Sequence, residues 1–145
     1  MHERPKIKLQ LSAFDKARET AGYLMIVILW LFTLFAYFNL PNNIPVHFNA
    51  SGKPDNYGGK ISILILPIVA AVVFFTITFL NKYPHVFNYA TPITEENAAQ
   101  QYTYGTRMLR FLKLAVAINF TLINVFTYLT AIGKANRLGF GSCLL

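Results

Sequence analysis

Charge is scarce in this chain, and the places where it is missing matter more than the total. Only 13% of the 145 residues are Asp, Glu, Lys or Arg, about half the share of an ordinary soluble domain, while 54% are hydrophobic. Three stretches, Ala21 to Leu40, Ile61 to Leu80 and Leu114 to Ile132, hold none of the four charged types. Each would cover roughly 30 Å as a helix, the thickness of a bilayer's hydrocarbon core. Bilayer, not water, is the main solvent these residues specify.

Other absences narrow the chemistry. Cys143 is the only cysteine, which excludes an internal disulfide and a paired-cysteine zinc site and leaves the redox compartment unread. No motif such as G-x-S-x-G accompanies the serines, so no catalytic residue and no cofactor are assigned, and the chain is not expected to be an enzyme. Ser62 with His47 is the nearest approach to a nucleophile and base. No Asp, Glu, Lys, Arg or His lies inside a charge-free stretch, whereas conducting and proton-relaying proteins usually need one. The first stretch is too long for a signal-peptide core, and Asn39-Leu40-Pro41-Asn42-Asn43 offers no small-residue cleavage site. It is expected to remain as an anchor.

The formal charge of +7 sits mostly beside the spans, where it selects topology and meets anionic headgroups of membrane lipid; nucleic acid is not the expected partner. Arg4, Lys6, Lys8, Lys16 and Arg18 precede the first span, and Lys82, Arg107, Arg110 and Lys113 lie between the second and third. Only Lys53, Lys60, Lys134 and Arg137 fall on the other side. Nine basic residues against four place the N terminus and second loop in the cytoplasm. The expectation is therefore an all-α, multi-pass protein of the inner (cytoplasmic) membrane. Its basic arm covers 1–20, its spans 21–40, 61–80 and 114–132, and its structured outward loop 41–60. A cytoplasmic loop and helix fill 81–113, and a tail fills 133–145.

Within the arm, Leu11, Phe14 and Ala17 stand at helical spacing opposite Lys16 and Glu19, which predicts an amphipathic helix at headgroup level. A short extended piece through Lys6 to Leu11 is the alternative. In the first loop, Asn49 with Gly52 suits a type I turn and Pro54-Asp55-Asn56 suits a second. Gly58 and Gly59 then free the chain to enter the second span. Pro67 is expected to kink that span by depriving the Ile63 carbonyl of its partner. Thr94 is placed to cap a long helix running into the third span, with Gly105 as a bend. Leu114, Ile118, Leu122, Val125 and Leu129 make a lipid-facing stripe, so Asn119 and Asn124 should meet the other spans. Packing is the plain reading of these asparagines, and a solute pathway is the other; the second reading would make the protein a transporter or channel component.

The titratable groups of the outward loop, His47, Asp55 and Lys60, are the best candidates for binding. Two ligands eight residues apart fall short of the four that structural zinc takes, so no metal site is assigned. The bland alternative is that His47 and Asp55 fix the loop's own shape while Lys60 snorkels. His85 falls on the opposite side and cannot join them. Tyr23, Tyr37, Tyr57 and Tyr83 are expected at the interfaces as anchors.

Leu40-Pro41, Ile44-Pro45-Val46-His47-Phe48, Gly52, Asp55 and Lys60, followed directly by an apolar span, resemble domain of unknown function 1648, which opens SdpI-type membrane proteins. The likeness covers roughly Tyr23 to Leu80. Tyr83-Pro84-His85-Val86-Phe87-Asn88-Tyr89 and Thr94-Glu95-Glu96-Asn97 are similar to small members of that family. The resemblance implies immunity to a toxic peptide, with membrane-linked control of a repressor, and a peptide or protein partner at the outward loop. The further spans of the immunity proteins are not present, and small relatives continue into a fourth span where this sequence stops at Gly139 to Leu145. An uncovered face on the third span would favour a homo-oligomer.

Overall fold

The computed structural model describes residues 4–135. Three long helices form the body: α1 Ala13–Asn39, α2 Ile65–Leu80 and α3 Ala98–Ala131. Between α1 and α2 stands an antiparallel hairpin of β1 Asn43–Phe48 and β2 Pro54–Gly59. All three helices, α2 together with the 3₁₀ turn Lys60–Leu64 before it, are long and apolar enough to cross a membrane. Of the tail expected over 133–145, residues 136–145 lie outside the described residues.

Ser12 starts α1 with a reciprocal cap. Its hydroxyl accepts from the Asp15 amide at 3.2 Å, while its own amide donates to the Asp15 carboxylate at 3.1 Å, satisfying two otherwise orphaned donors. From there the helix runs unbroken to Asn39, so the separate headgroup-level helix expected in the arm is not formed. The chain from Arg4 to Ser12 has no regular secondary structure. It is held by Arg4, which donates to the carbonyls of His85 and Phe87 at 3.1 and 2.6 Å, and by Tyr102, whose hydroxyl donates to the Pro5 carbonyl at 3.1 Å. Specific bonds to the second loop outcompete the weak amphipathic pattern.

Pro67 occupies the first turn of α2, because a 3₁₀ turn over Lys60–Leu64 precedes it. A proline in that position removes an N–H that has no partner in the helix anyway. The span changes from 3₁₀ to α-helix after Leu64, just ahead of the proline. Helix α3 has 34 residues, about 51 Å of rod against a hydrocarbon layer of roughly 30 Å. Its first turns therefore project beyond the apolar zone. Gly105 lies within the continuous helix; a Cβ there would meet Phe87 and the Tyr89 hydroxyl at 3.2 Å, so the glycine admits the second loop to the helix surface. Thr94 caps only the turn before α3, exchanging bonds with Asn97 at 2.9 and 3.3 Å.

Ile26, Leu29, Ala70, Phe74 and Ala117 make the core between the helices. Gly22 lets α1 and α2 close up, since a Cβ there would stand 2.9 Å from the Phe74 ring, and Tyr23 meets the same ring edge-on at 5.0 Å. A second cluster, Ala36, Leu40, Ile44 and Ile63, fastens the hairpin to the helix ends. The lipid-facing stripe of α3 comes out as expected at Ile118 and Leu122, both exposed, while Thr121, Asn124 and Thr127 are buried.

Candidate functional site

The hairpin is built from its turn. Asn49 accepts the Gly52 amide on its carbonyl at 2.8 Å and takes the amides of Ser51 and Lys53 on its side-chain oxygen at 2.9 and 3.1 Å. Gly52 has φ of 74°, a left-handed conformation suited to glycine. The expected turn at Asn49 is present. The second one, at Pro54-Asp55-Asn56, is not, because those residues form β2 against β1. Proline is tolerated there as the first residue of an edge strand.

Pairing slips on either side of His47, which faces Asn56 while Pro45 faces Tyr57 and Phe48 faces Pro54. These bulges set His47 beside Asp55, with Nδ1 and Oδ1 2.5 Å apart and both side chains well exposed. The pair links β1 to β2 across the bulge, and His85 belongs to the opposite end. Among the described residues no three His, Cys, Asp or Glu side chains gather, and no hydrogen bond joins His47 to Ser62. Lys60 bends back so that its ammonium lies 5.1 Å from the centre of the Tyr37 ring, an interfacial cation–π contact. Gly58 accommodates Val46, whose Cγ1 a Cβ would approach to 3.1 Å.

Below the hairpin, β1, the start of α2 and the C-terminal half of α3 enclose a cleft of about 450 Å³. Pro45, Val46 and Phe48 wall one side, Ser62 and Leu66 another, and Asn124 and Thr127 the third. The predicted loop residues Pro45 and Phe48 are thus brought together with the predicted intramembrane Asn124. Pro41, His47, Gly52, Asp55 and Lys60 are not in the lining. Asn124 donates from Nδ2 to the Thr33 hydroxyl at 2.9 Å, and that hydroxyl donates to the Leu29 carbonyl at 2.7 Å. Asn119 does not meet the other spans. It is exposed and bonds the Ala115 carbonyl of its own helix at 2.8 Å, because five residues carry it about 140° round from Asn124.

The opposite end holds an ionic cluster that the charge-free windows passed over. Arg107 grips Asp15 with two nitrogens at 2.8 and 3.1 Å. Lys113, wholly buried, donates to Glu19 at 2.5 Å and to the Thr78 hydroxyl at 2.8 Å, with its ammonium 4.3 Å from the Phe74 ring centre. One lysine of α3 thus ties α1 and α2 together. The signal was present in the spacing: Arg110, Lys113, Ala117, Thr121 and Asn124 recur at three- and four-residue steps on one face. Nearby, burial pushes the Tyr89 phenol up to about 12; Tyr102 adds to this and Arg4 opposes it.

Three apolar spanning helices with their loops sorted to two ends define a multi-pass membrane protein. Within it, residues 24–71 match the family model described as domain of unknown function (DUF1648), a stretch that runs from α1 through the hairpin into the start of α2. An uncharacterised protein of Archaeoglobus fulgidus is 37% identical over 86 residues, 54% of this chain and 47% of that protein. The match therefore spans about half of the relative's length. No solved structure matches.

Proposed function

We propose that the protein acts by binding, as an immunity-like or regulatory factor of the cytoplasmic membrane, and that the cleft under the hairpin receives an apolar segment of a peptide or protein. The observation that carries this reading is the meeting of Pro45, Val46 and Phe48 with Asn124 at one walled opening. Apolar walls supply burial, and a few fixed polar groups supply orientation, the usual make-up of a ligand cleft. The likeness of the loop to SdpI-type proteins points the same way. Nine basic residues at the end shared by the arm and the second loop favour a cytoplasmic N terminus and an outward-facing cleft.

The test is to express the chain in sensitive cells, challenge them with membrane-active peptides, and place a photocrosslinker at Phe48. Protection that disappears with Phe48→Ala, together with a crosslinked peptide, is the expected result. Full sensitivity with no crosslink would overturn the proposal. The transporter reading has less support, since Leu29, Phe74 and Ala117 fill the bundle below Asn124.

A further inference from the structure

At the end away from the hairpin, the N-terminal arm, the end of α2 and α3 enclose a second cleft of about 400 Å³. Its charge is lopsided. Lys8, Lys82 and Arg110 line it against one acid, Glu19, and Glu19 is already engaged by Lys113 at 2.5 Å. Arg110 is only 6% exposed, yet its Nε has no hydrogen-bond acceptor among the described residues; Glu19 lies 3.3 Å away without bonding geometry. Asn81, also in the lining, has both its amide nitrogen and its amide oxygen buried and without a hydrogen-bond partner among the described residues. Such groups cost free energy unless something supplies their bonds.

The depth of the cleft says what that something is. Asn81 and Lys82 follow immediately after Leu80, the last residue of the apolar α2, so the opening lies where hydrocarbon gives way to headgroups. Ile7 and Leu11 on its rim are exposed and apolar. A ligand here must present an anion to Arg110 and the two lysines. It must also offer both an acceptor and a donor to the Asn81 amide, and it must keep its remainder in an apolar layer.

We propose that this cleft is a headgroup site for an anionic phospholipid with a hydroxylated headgroup, of the phosphatidylglycerol type. The phosphodiester takes Arg110, Lys8 and Lys82; a headgroup hydroxyl and a phosphate oxygen satisfy the two sides of Asn81; the acyl chains run along α2. A zwitterionic choline headgroup satisfies neither the charge balance nor the donor demand.

Native mass spectrometry of the full chain in detergent, with added phosphatidylglycerol, phosphatidic acid, phosphatidylcholine, glycerol phosphate or inorganic phosphate, tests this. Phosphatidylglycerol should be retained in a one-to-one complex and phosphatidylcholine should not. Lys8→Gln with Lys82→Gln, both at exposed side chains, should weaken retention at least about fivefold for each charge removed. Asn81→Leu should lower the preference for phosphatidylglycerol over phosphatidic acid. Because Arg110→Gln also disturbs the Glu19 cluster, it is read beside a thermal melt and Arg110→Lys, which should retain the lipid better than Arg110→Gln. Equal retention of both lipids, or retention unchanged in the lysine variants, would overturn the site. Glycerol phosphate or inorganic phosphate binding as tightly as the lipid would overturn the lipid assignment.

Discussion

Asn124 of α3 and Thr33 of α1 are joined by a 2.9 Å hydrogen bond in the apolar interior, and neither side chain is more than 1% exposed. Hydrogen bonds of this kind between spanning helices contribute about 0.6 kcal/mol on average and at most about 1.7. Asn124→Leu and Thr33→Val should each destabilise the protein by about that amount, measured by SDS-induced unfolding in mixed micelles. The double variant should cost little more than either single one. Asn119→Leu should be close to neutral, since its bond is to its own helix, and a large loss there would contradict the orientation of α3.

Lys113 is the more consequential polar residue. Breaking a buried ion pair by removing one partner costs about 3–5 kcal/mol, whereas replacing both can be nearly neutral; the partial exposure of Glu19 puts this pair at the lower end. Lys113→Met should therefore be more damaging than Lys113→Met combined with Glu19→Gln. The same micelle titration checks the ordering, and additive losses would sink it.

Close helix approach at Gly22 gives a steric prediction. A Cβ 2.9 Å from the Phe74 ring forces repacking, and overfilled cores lose about 1–3 kcal/mol. Gly22→Val should fall in that range and Gly22→Ala below it, with Phe74→Leu relieving part of the loss. No rescue by Phe74→Leu would place the strain elsewhere.

The hairpin turn can be tested without touching the cleft. Gly52→Ala places a side chain at φ of 74°, which costs about 1–2 kcal/mol. Amide exchange at Asn49 and Lys53 should accelerate in this variant, while exchange along α1 stays slow. His47→Ala or Asp55→Ala should change stability by at most about 1 kcal/mol, because the pair is exposed.

Tyr89 sets a pH limit. Its phenol is raised from 10.0 to about 12 by burial, so the folded state holds that proton more tightly than the unfolded chain does. The resulting stability is intact below about pH 10 and is lost as the pH rises toward 12. Thermal melts in detergent at pH 9 and pH 11.5 should show this decline, and Tyr89→Phe should reduce it.

Most of the architecture was legible because lipid leaves so few options. A run of twenty residues without charge has one economical conformation in a bilayer, and the Asn49 to Gly52 turn follows from side-chain chemistry alone. The hairpin strands were less legible: Pro54-Asp55-Asn56-Tyr57 reads as turn chemistry, and only pairing with Asn43–Phe48 makes it a strand. In the candidate site, Pro45, Phe48 and Asn124 were all singled out, but their convergence depends on Ile44 docking against Ala36 and Ile63. The ionic cluster was missed because Glu19 and Lys113 stand just outside the apolar windows. Asn119 was less legible because the faces left by the apolar stripe take up most of the helix circumference, and only the part that carries Thr121, Asn124 and Thr127 is covered by the other helices.

Asn124 and Arg110, one in each cleft, are carried by a single helix about 21 Å apart, with Ala117 halfway between them in the tight packing against α1 and α2. The rod is pinned at both clefts as well, by Asn124 on Thr33 beside the hairpin and by Lys113 on Glu19 and Thr78 at the far end. Each cleft therefore has its own anchor, and loosening one leaves the wall of the other in place.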